Sequence, residues 1–149
     1  MSEQDEFILY LSTNTSMGIS STTKICELLK DKDNKIKSFV EKYLKEYEHF
    51  DKEVKKLTKK YNVKMKKNKF MQKLMANSMM IEEINNDNSD SKIANILIRG
   101  FTMGEIDIEK RIKDFRKELN QTEKKDILDL SMEIHAFCRK SIKELKEFL

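Results

Sequence analysis

Two residues on one predicted helix, Glu46 and His49, have the types and the spacing that metal binding requires. Residues three apart lie on the same face of an α-helix, so a carboxylate and an imidazole at this spacing can ligate one metal ion. Such a pair is part of the ligand set of di-iron sites in helical bundles. The alternative is that both side chains lie on the solvent-facing surface. The only other histidine, His135, follows Glu133 at a spacing of two.

The elements that carry these residues are predicted to be helices. The 149-residue chain has no proline and only three glycines, and its commonest apolar and charged residues favour helices. This composition predicts an all-α fold and argues against a β-sandwich or barrel. Apolar residues recur every three or four positions in five stretches, which predicts four long helices and one short helix. The predicted helices cover about 7–29, 36–61, 68–85, 93–119 and 127–148.

The connections between these helices predict how they are arranged. Short polar stretches, KDKDN at 30–34 and NQTEKK at 120–125, join the first two and the last two long helices, which makes each pair antiparallel neighbours. The remaining connection, about 30 residues with the short helix inside it, can cross the bundle. We predict two antiparallel hairpins joined by a long crossover, in one domain spanning 1–149. A weak similarity at an offset of 86 residues relates Gly18 to Gly104 and His49 to His135, which is compatible with a hairpin duplication.

Three stretches resemble a group of small uncharacterised bacterial proteins, mostly from clostridia and related Firmicutes. They are SDSKIANILIRGFTMGEIDIEKRI (89–112), SIKELKEFL (141–149) and SMGI (16–19). The predicted layout of hairpin, crossover and hairpin resembles the ferritin-like superfamily over nearly the whole chain. The resemblance implies a ferritin-like four-helix bundle with an additional short helix in the crossover.

In that superfamily, di-iron members point six ligands inward: one Glu from each of two helices, and a Glu-x-x-His from each of the other two. Glu46 and His49 fall about 65° and 125° from the centre of their helix's apolar stripe, and Glu105 about 90° from its own, at about 100° per residue. His135 has no Glu three residues before it. We therefore predict no metal and no cofactor. Glu46, His49, Glu105 and His135 remain the candidate ligands if the chain is an unusual metal-binding member.

Three glycines, Gly18, Gly100 and Gly104, lie within predicted helices. Glycine costs about 1 kcal/mol relative to alanine inside a helix, so each position calls for a reason. The apolar patterns place all three on inward stripes, where the missing side chain lets two helices approach closely. The alternative is a narrow internal pocket for a small ligand.

Six apolar residues lie outside the predicted core stripes, three in the short helix and three in the third long helix. They are Met71, Met75, Met79, Ile96, Met103 and Ile106. Monomers seldom expose large contiguous apolar surface, and twofold dimers are the commonest assembly. We expect a homodimer with these residues at its interface. The competing explanation is that the two surfaces cover each other within one chain.

The segment from Lys52 to Lys73 is strongly basic. It holds ten lysines and one acid, so it carries +9, and the rest of the chain carries −5 of the total of +4. This predicts either a solvated helix face or weak attraction to an anionic polymer or membrane surface. Specific nucleic-acid recognition would need more than four arginines and a reading element. The patch consists of Lys55, Lys56, Lys59, Lys60, Lys64, Lys66, Lys67 and Lys69.

Signatures of enzymes are missing from the sequence: it has no glycine-rich phosphate loop, no G-x-S-x-G and no C-x-x-C. No apolar run reaches about 18 residues, and the acidic start MSEQDEF does not resemble a signal peptide. We interpret the chain as a non-catalytic, self-associating binding or structural protein of the cytoplasm. The alternatives are a degenerate or unusual metal-binding relative of the ferritin-like proteins, and a weak binder of anionic surfaces through Lys52–Lys73.

Overall fold

A computed structural model of this chain describes residues 2–64, 70–118 and 124–149, with the backbone alone for 70–76 and 118. These residues form α1 (Glu3–Leu28), α2 (Lys37–Lys60), α3 (Phe70–Asn86), α4 (Asp90–Glu118) and α5 (Lys125–Leu145), and a 3-10 turn at Lys146–Phe148 follows α5. The described ranges contain no strand, which confirms the predicted all-α fold.

Side-chain caps explain where two of the helices begin. The Ser2 hydroxyl accepts a hydrogen bond of 3.1 Å from the backbone N–H of Asp5, and three acids in the first turn of α1 favour its positive end. The Ser89 hydroxyl accepts a bond of 3.2 Å from the N–H of Lys92 at the start of α4. Both serines satisfy N–H groups that a helix leaves unpaired at its first turn.

Contacts between α1 and α4, and between α2 and α5, fix the directions of the four long helices. Phe7 near the start of α1 packs against Phe115 near the end of α4, with ring centroids 5.0 Å apart. Lys42 near the start of α2 pairs with Glu144 near the end of α5 at 2.6 Å. Each of these pairs is therefore antiparallel. Since the short 29–36 connection also makes α1 antiparallel to α2, α2 and α4 run in the same direction.

The crossover brings α3 alongside α1 and α4. The Asn77 side chain donates a hydrogen bond of 2.8 Å to the Ser20 hydroxyl of α1, and Arg99 of α4 pairs with Glu83 at 2.7 Å. After α3, the Asp90 carboxylate accepts hydrogen bonds from the Asn34 amide at 2.9 Å and from the Lys35 N–H at 3.2 Å. Asp90 therefore joins the start of α4 to the loop between α1 and α2.

An aromatic cluster fills the middle of the bundle. It consists of Tyr43, Tyr47 and Phe50 of α2, Phe101 of α4 and Phe137 of α5. The ring of Phe101 lies edge-on to Phe137 at 5.4 Å and stacks with Tyr47 at 6.1 Å. Offset and edge-to-face pairs of this kind stabilise a core beyond the area they bury.

Two of the helix glycines lie at contacts between helices. A β-carbon on Gly18 would overlap the ring of Tyr47, so α1 and α2 approach closely there because Gly18 has no side chain. Gly104 is half-buried, and a β-carbon there would lie 3.5 Å from the Asn14 amide nitrogen and 3.7 Å from the Cys138 sulfur. Those distances are ordinary van der Waals contacts.

The prediction that Gly100 faces inward is wrong. Gly100 is exposed, and no atom of the described residues lies within 4 Å of the position that its β-carbon would take. The core stripe of α4 passes through Leu97, Phe101 and Ile108, all of which are buried. One residue turns the helix by about 100°, so Gly100 lies well away from the direction of Phe101.

Candidate interaction surfaces

The first candidate surface is an exposed apolar face on α4. Met103 and Ile106 are 67% and 60% exposed, and residues three apart are neighbours on one helix face. Gly100, three residues before Met103, adjoins the same face and is not covered by the described residues. Met79 of α3, also predicted at the interface, is 71% exposed.

The other predicted interface residues are not shown to be exposed. Ile96 is partly buried against the core, so the prediction that it is free apolar surface is wrong. The side chains of Met71 and Met75 lie outside the described residues.

The second candidate surface is a groove of about 450 Å³ between α2 and α5. An ion pair of 2.6 Å, Lys42 to Glu144, lies at one end. Further along the same two helices, Lys60 pairs with Asp126 at 2.6 Å. Between these two ion pairs the side chains of α2 and α5 leave the groove open to solvent. Glu46 and His49 are both exposed and line it, so the predicted metal-binding pair lies on a surface groove.

The other two candidate ligands lie at the junction of α4 and α5. His135 Nε2 is 3.9 Å from a Glu105 carboxylate oxygen and 3.8 Å from a Glu109 oxygen. Arg139 Nε is 3.5 Å from the same Glu105 oxygen. His135 Nε2 is buried and has no hydrogen-bond partner among the described residues. A protonated His135 would form ion pairs with both carboxylates.

These positions do not assemble a di-iron ligand set. No group of three or more His, Cys, Asp or Glu residues that could hold a metal ion occurs in the part of the chain that the structure describes. The middle of the bundle, where Tyr47, Phe101 and Phe137 pack together, is apolar and aromatic. The geometry therefore gives no support to the metal-binding alternative.

The cysteine thiols have the properties of packing groups. Cys138 is buried, and this burial, with the Glu105 carboxylate nearby, raises the pKa of its thiol to about 12. Burial also raises the pKa of the Cys26 thiol, with smaller effects from Glu41 and Glu27. The nucleophilic form of cysteine is the thiolate, so both thiols are poor nucleophiles near neutral pH.

Much of the charge in the described part of the basic segment is neutralised within the chain. Lys55 pairs with Asp51 at 2.7 Å, Lys56 with Glu53 at 3.0 Å, and Lys60 with Asp126. Burial works against the ionised form of Asp126, but hydrogen bonds from Lys60 and Tyr61 lower the pKa of its carboxyl. Lys66, Lys67 and Lys69 lie outside the described residues.

Sequence reasoning did not find the α2–α5 groove. One sequence feature could have indicated the groove. This is the small residue Ala136, which lies on the α5 face that lines the groove. A short side chain between two larger neighbours leaves a trough beside a helix. That signal becomes specific only once α2 and α5 are known to be neighbours.

None of the helices in the described ranges is both long and apolar enough to cross a membrane. Comparisons of the chain with models of protein families, with curated proteins and with solved structures give no match. The resemblance to the ferritin-like superfamily therefore stays a prediction.

Proposed function

We propose that this chain is a non-catalytic binding protein of the cytoplasm that self-associates through the exposed apolar face of α4. The observation that supports this best is the pair Met103 and Ile106, which are both more than half exposed on one face. Monomeric proteins seldom leave large contiguous apolar patches in water. A second chain that covers this face would remove both side chains from water.

Gly100 adds an independent argument. Glycine inside a helix costs about 1 kcal/mol relative to alanine, and no packing among the described residues requires it at this position. A helix of a second chain could approach the α4 backbone closely at Gly100. Self-association thus gives a reason for a glycine that contacts within the described part of one chain do not explain.

The proposal includes a ferritin-like four-helix bundle as the architecture. Its support is that α2 and α4 run in the same direction, with α3 in the long connection between them. One long crossover of this kind characterises ferritin-like bundles. In this proposal the aromatic cluster around Tyr47 and Phe101 occupies the interior where other members bind metal.

Sedimentation equilibrium at micromolar concentration tests the self-association. We expect a mass about twice the 17.7 kDa of one chain. Met103→Glu and Ile106→Glu should each shift the equilibrium to monomer, because a buried unpaired charge at the interface is strongly unfavourable. Helix content, followed by circular dichroism, should stay unchanged since both side chains are exposed.

Met132→Glu is the matched control. Met132 is 48% exposed on α5, and its sulfur accepts a hydrogen bond from Arg116 of α4, ten residues beyond Ile106, so the same change of methionine to glutamate there should leave the mass at the dimer value. A wild-type chain that sediments as a monomer would reject the proposal. So would equal dissociation of the Met103→Glu and Met132→Glu variants, because the α4 face would then have no special role.

A second function is favoured by the lysines that remain unpaired. Lys52, Lys59 and Lys64 are exposed and form no ion pair with other described residues. In this second proposal, the unpaired positive charge of these lysines gives weak, salt-dependent binding to anionic surfaces. Co-sedimentation with vesicles that contain anionic lipid should show binding that falls as salt rises, and neutral vesicles are the control. Binding that does not respond to salt would contradict an electrostatic origin.

A further inference from the structure

The α2–α5 groove has a floor and walls of different chemistry. Tyr43, Phe50 and Phe137 lie along its bottom, and all three belong to the aromatic cluster of the core. Packing on several sides holds these rings in place, so the floor is preformed. Ala136, beside Phe137, is exposed, and its short side chain leaves the α5 side of the groove open.

The unpaired charges on the groove walls favour a cation. Glu144 is already paired with Lys42. Of the remaining ionised side chains that line the groove, Glu46 and Glu133 carry negative charge and Lys140 carries positive charge. None of these three forms an ion pair with another described residue. The groove is therefore locally negative on a chain whose formal net charge is +4.

The chain itself shows that this surface accommodates an ammonium group. Lys42 Nζ lies 4.9 Å from the ring centroid of Phe39 and 5.5 Å from that of Tyr43, while it pairs with Glu144. An ammonium over an aromatic face and beside a carboxylate is the usual geometry of cation–π recognition. Glu46 and Phe50, one turn apart on α2, also line the groove, and no described lysine lies over the Phe50 ring.

A buried polar atom also lies at the floor. The hydroxyl of Tyr43 is buried beside the Glu144 carboxylate, so groups of the chain itself already surround it at this end of the groove.

We propose that the α2–α5 groove binds a small amphipathic organic amine, with its apolar part on the aromatic floor and its ammonium group toward the wall carboxylates. Glu46 on α2 and Glu133 on α5 supply the negative charge, and the partly exposed ring of Phe137 supplies the main apolar contact, with the buried rings of Tyr43 and Phe50 beneath it. This site is separate from the α4 face, so it does not depend on self-association.

Nitrogen-15 NMR titration of the full chain tests the proposal with three probes of similar size. The probes are phenethylamine, the neutral 2-phenylethanol and the anionic 3-phenylpropionate. We expect saturable shifts at Tyr43, Phe50 and Phe137 with the amine, and affinity weaker by about tenfold or more for the alcohol, since charge-assisted contacts typically contribute this much. The double variant Glu46→Gln/Glu133→Gln should remove the difference between amine and alcohol.

Two further variants make the result specific. Glu48→Gln, an exposed α2 residue that does not line the groove, should bind the amine like the wild type. Ala136→Leu, which places a larger side chain in the groove, should abolish the shifts while the helix content is kept. The proposal is overturned by the absence of saturable shifts with the amine, by equal affinities for amine and alcohol, by a preference for the anion, or by unchanged binding in Ala136→Leu.

Discussion

Gly18 of α1 lies so close to the ring of Tyr47 of α2 that a β-carbon on Gly18 would overlap the ring atoms. The same ring stacks with Phe101 at 6.1 Å and lies edge-on to Phe137 at 5.2 Å. Tyr47 therefore contacts α1, α4 and α5 at once, and Gly18 determines how closely α1 approaches it. The spacing of the bundle at its middle depends on this one glycine.

Gly18→Ala should destabilise the protein by up to about 2 kcal/mol. The added methyl group overlaps a ring that packed neighbours hold in place, and overpacking of this kind typically costs about 1–3 kcal/mol. The gain in helix propensity, about 1 kcal/mol, offsets only part of the cost. Urea denaturation followed by circular dichroism measures the difference.

Gly104→Ala is the control for this change, because it makes the same substitution in a helix where the new carbon meets only ordinary contacts at 3.5 Å and 3.7 Å. We expect it to be neutral or slightly stabilising. If Gly18→Ala proved as harmless as Gly104→Ala, Tyr47 would have to move easily, and the account of the aromatic cluster would be wrong.

Gly100→Ala should stabilise the folded chain by about 0.5–1 kcal/mol. The position is exposed, lies inside α4 and has no described atom near its β-carbon position, so alanine gains helix propensity without a steric cost. Denaturation below the concentration at which the chain self-associates measures this effect. A loss of stability there would place Gly100 inside the core after all.

His49→Ala should change the free energy of unfolding by no more than about 0.5 kcal/mol. His49 is exposed on α2, and substitutions at such positions usually have effects of this size. Thermal and urea unfolding, with and without added divalent metal, provide the measurement. A large loss, or stabilisation by metal that disappears in the variant, would contradict its placement as a surface residue.

Asp126 should make folding stability depend on pH under acidic conditions. Its carboxyl pKa is lowered in the folded state, because the hydrogen bonds from Lys60 and Tyr61 outweigh the effect of burial. A group with a lowered folded pKa contributes stability above its unfolded value, here 3.8, and that stability is lost as pH falls through the folded value. Asp126→Asn should therefore reduce stability at about pH 6 more than at about pH 2.

Asp129→Asn is the matched control, since Asp129 is an exposed aspartate on the same helix. The free energy of unfolding from urea titrations at both pH values should change little for this variant. An equal pH effect in the two variants would mean that the ion pair of Asp126 with Lys60 does not stabilise the fold.

The hydrophobic periodicity was sufficient to predict the helices, because each amphipathic stripe is a local property of the sequence. It predicted correctly that Tyr43, Tyr47 and Phe50 are inward on α2. It failed at Gly100 because glycine has no side chain whose polarity indicates a direction. The adjacent Phe101 determines the phase of α4, and the buried residues Leu97 and Ile108 share its stripe.

The α2–α5 groove shows a different limit of sequence reasoning. Its walls come from helices far apart in the chain, and its depth depends on their distance at Glu46 and Ala136. The hydrophobic periodicity of one helix gives no information about the distance between two helices. The exposed face of α4 was easier to predict, because Met103 and Ile106 lie outside the core stripe of a single helix.

The Asp90 carboxylate has a consequence for the motions of the chain. It accepts the backbone N–H of Lys35 at 3.2 Å and that of Ile36 at 3.5 Å, although both donors precede α2 and belong to the other hairpin. In hydrogen–deuterium exchange, an amide bonded in this way exchanges only when its acceptor moves away. The amides of the 35–36 segment should therefore exchange together with the first turn of α4, so opening at this end of the bundle is one event shared by both hairpins.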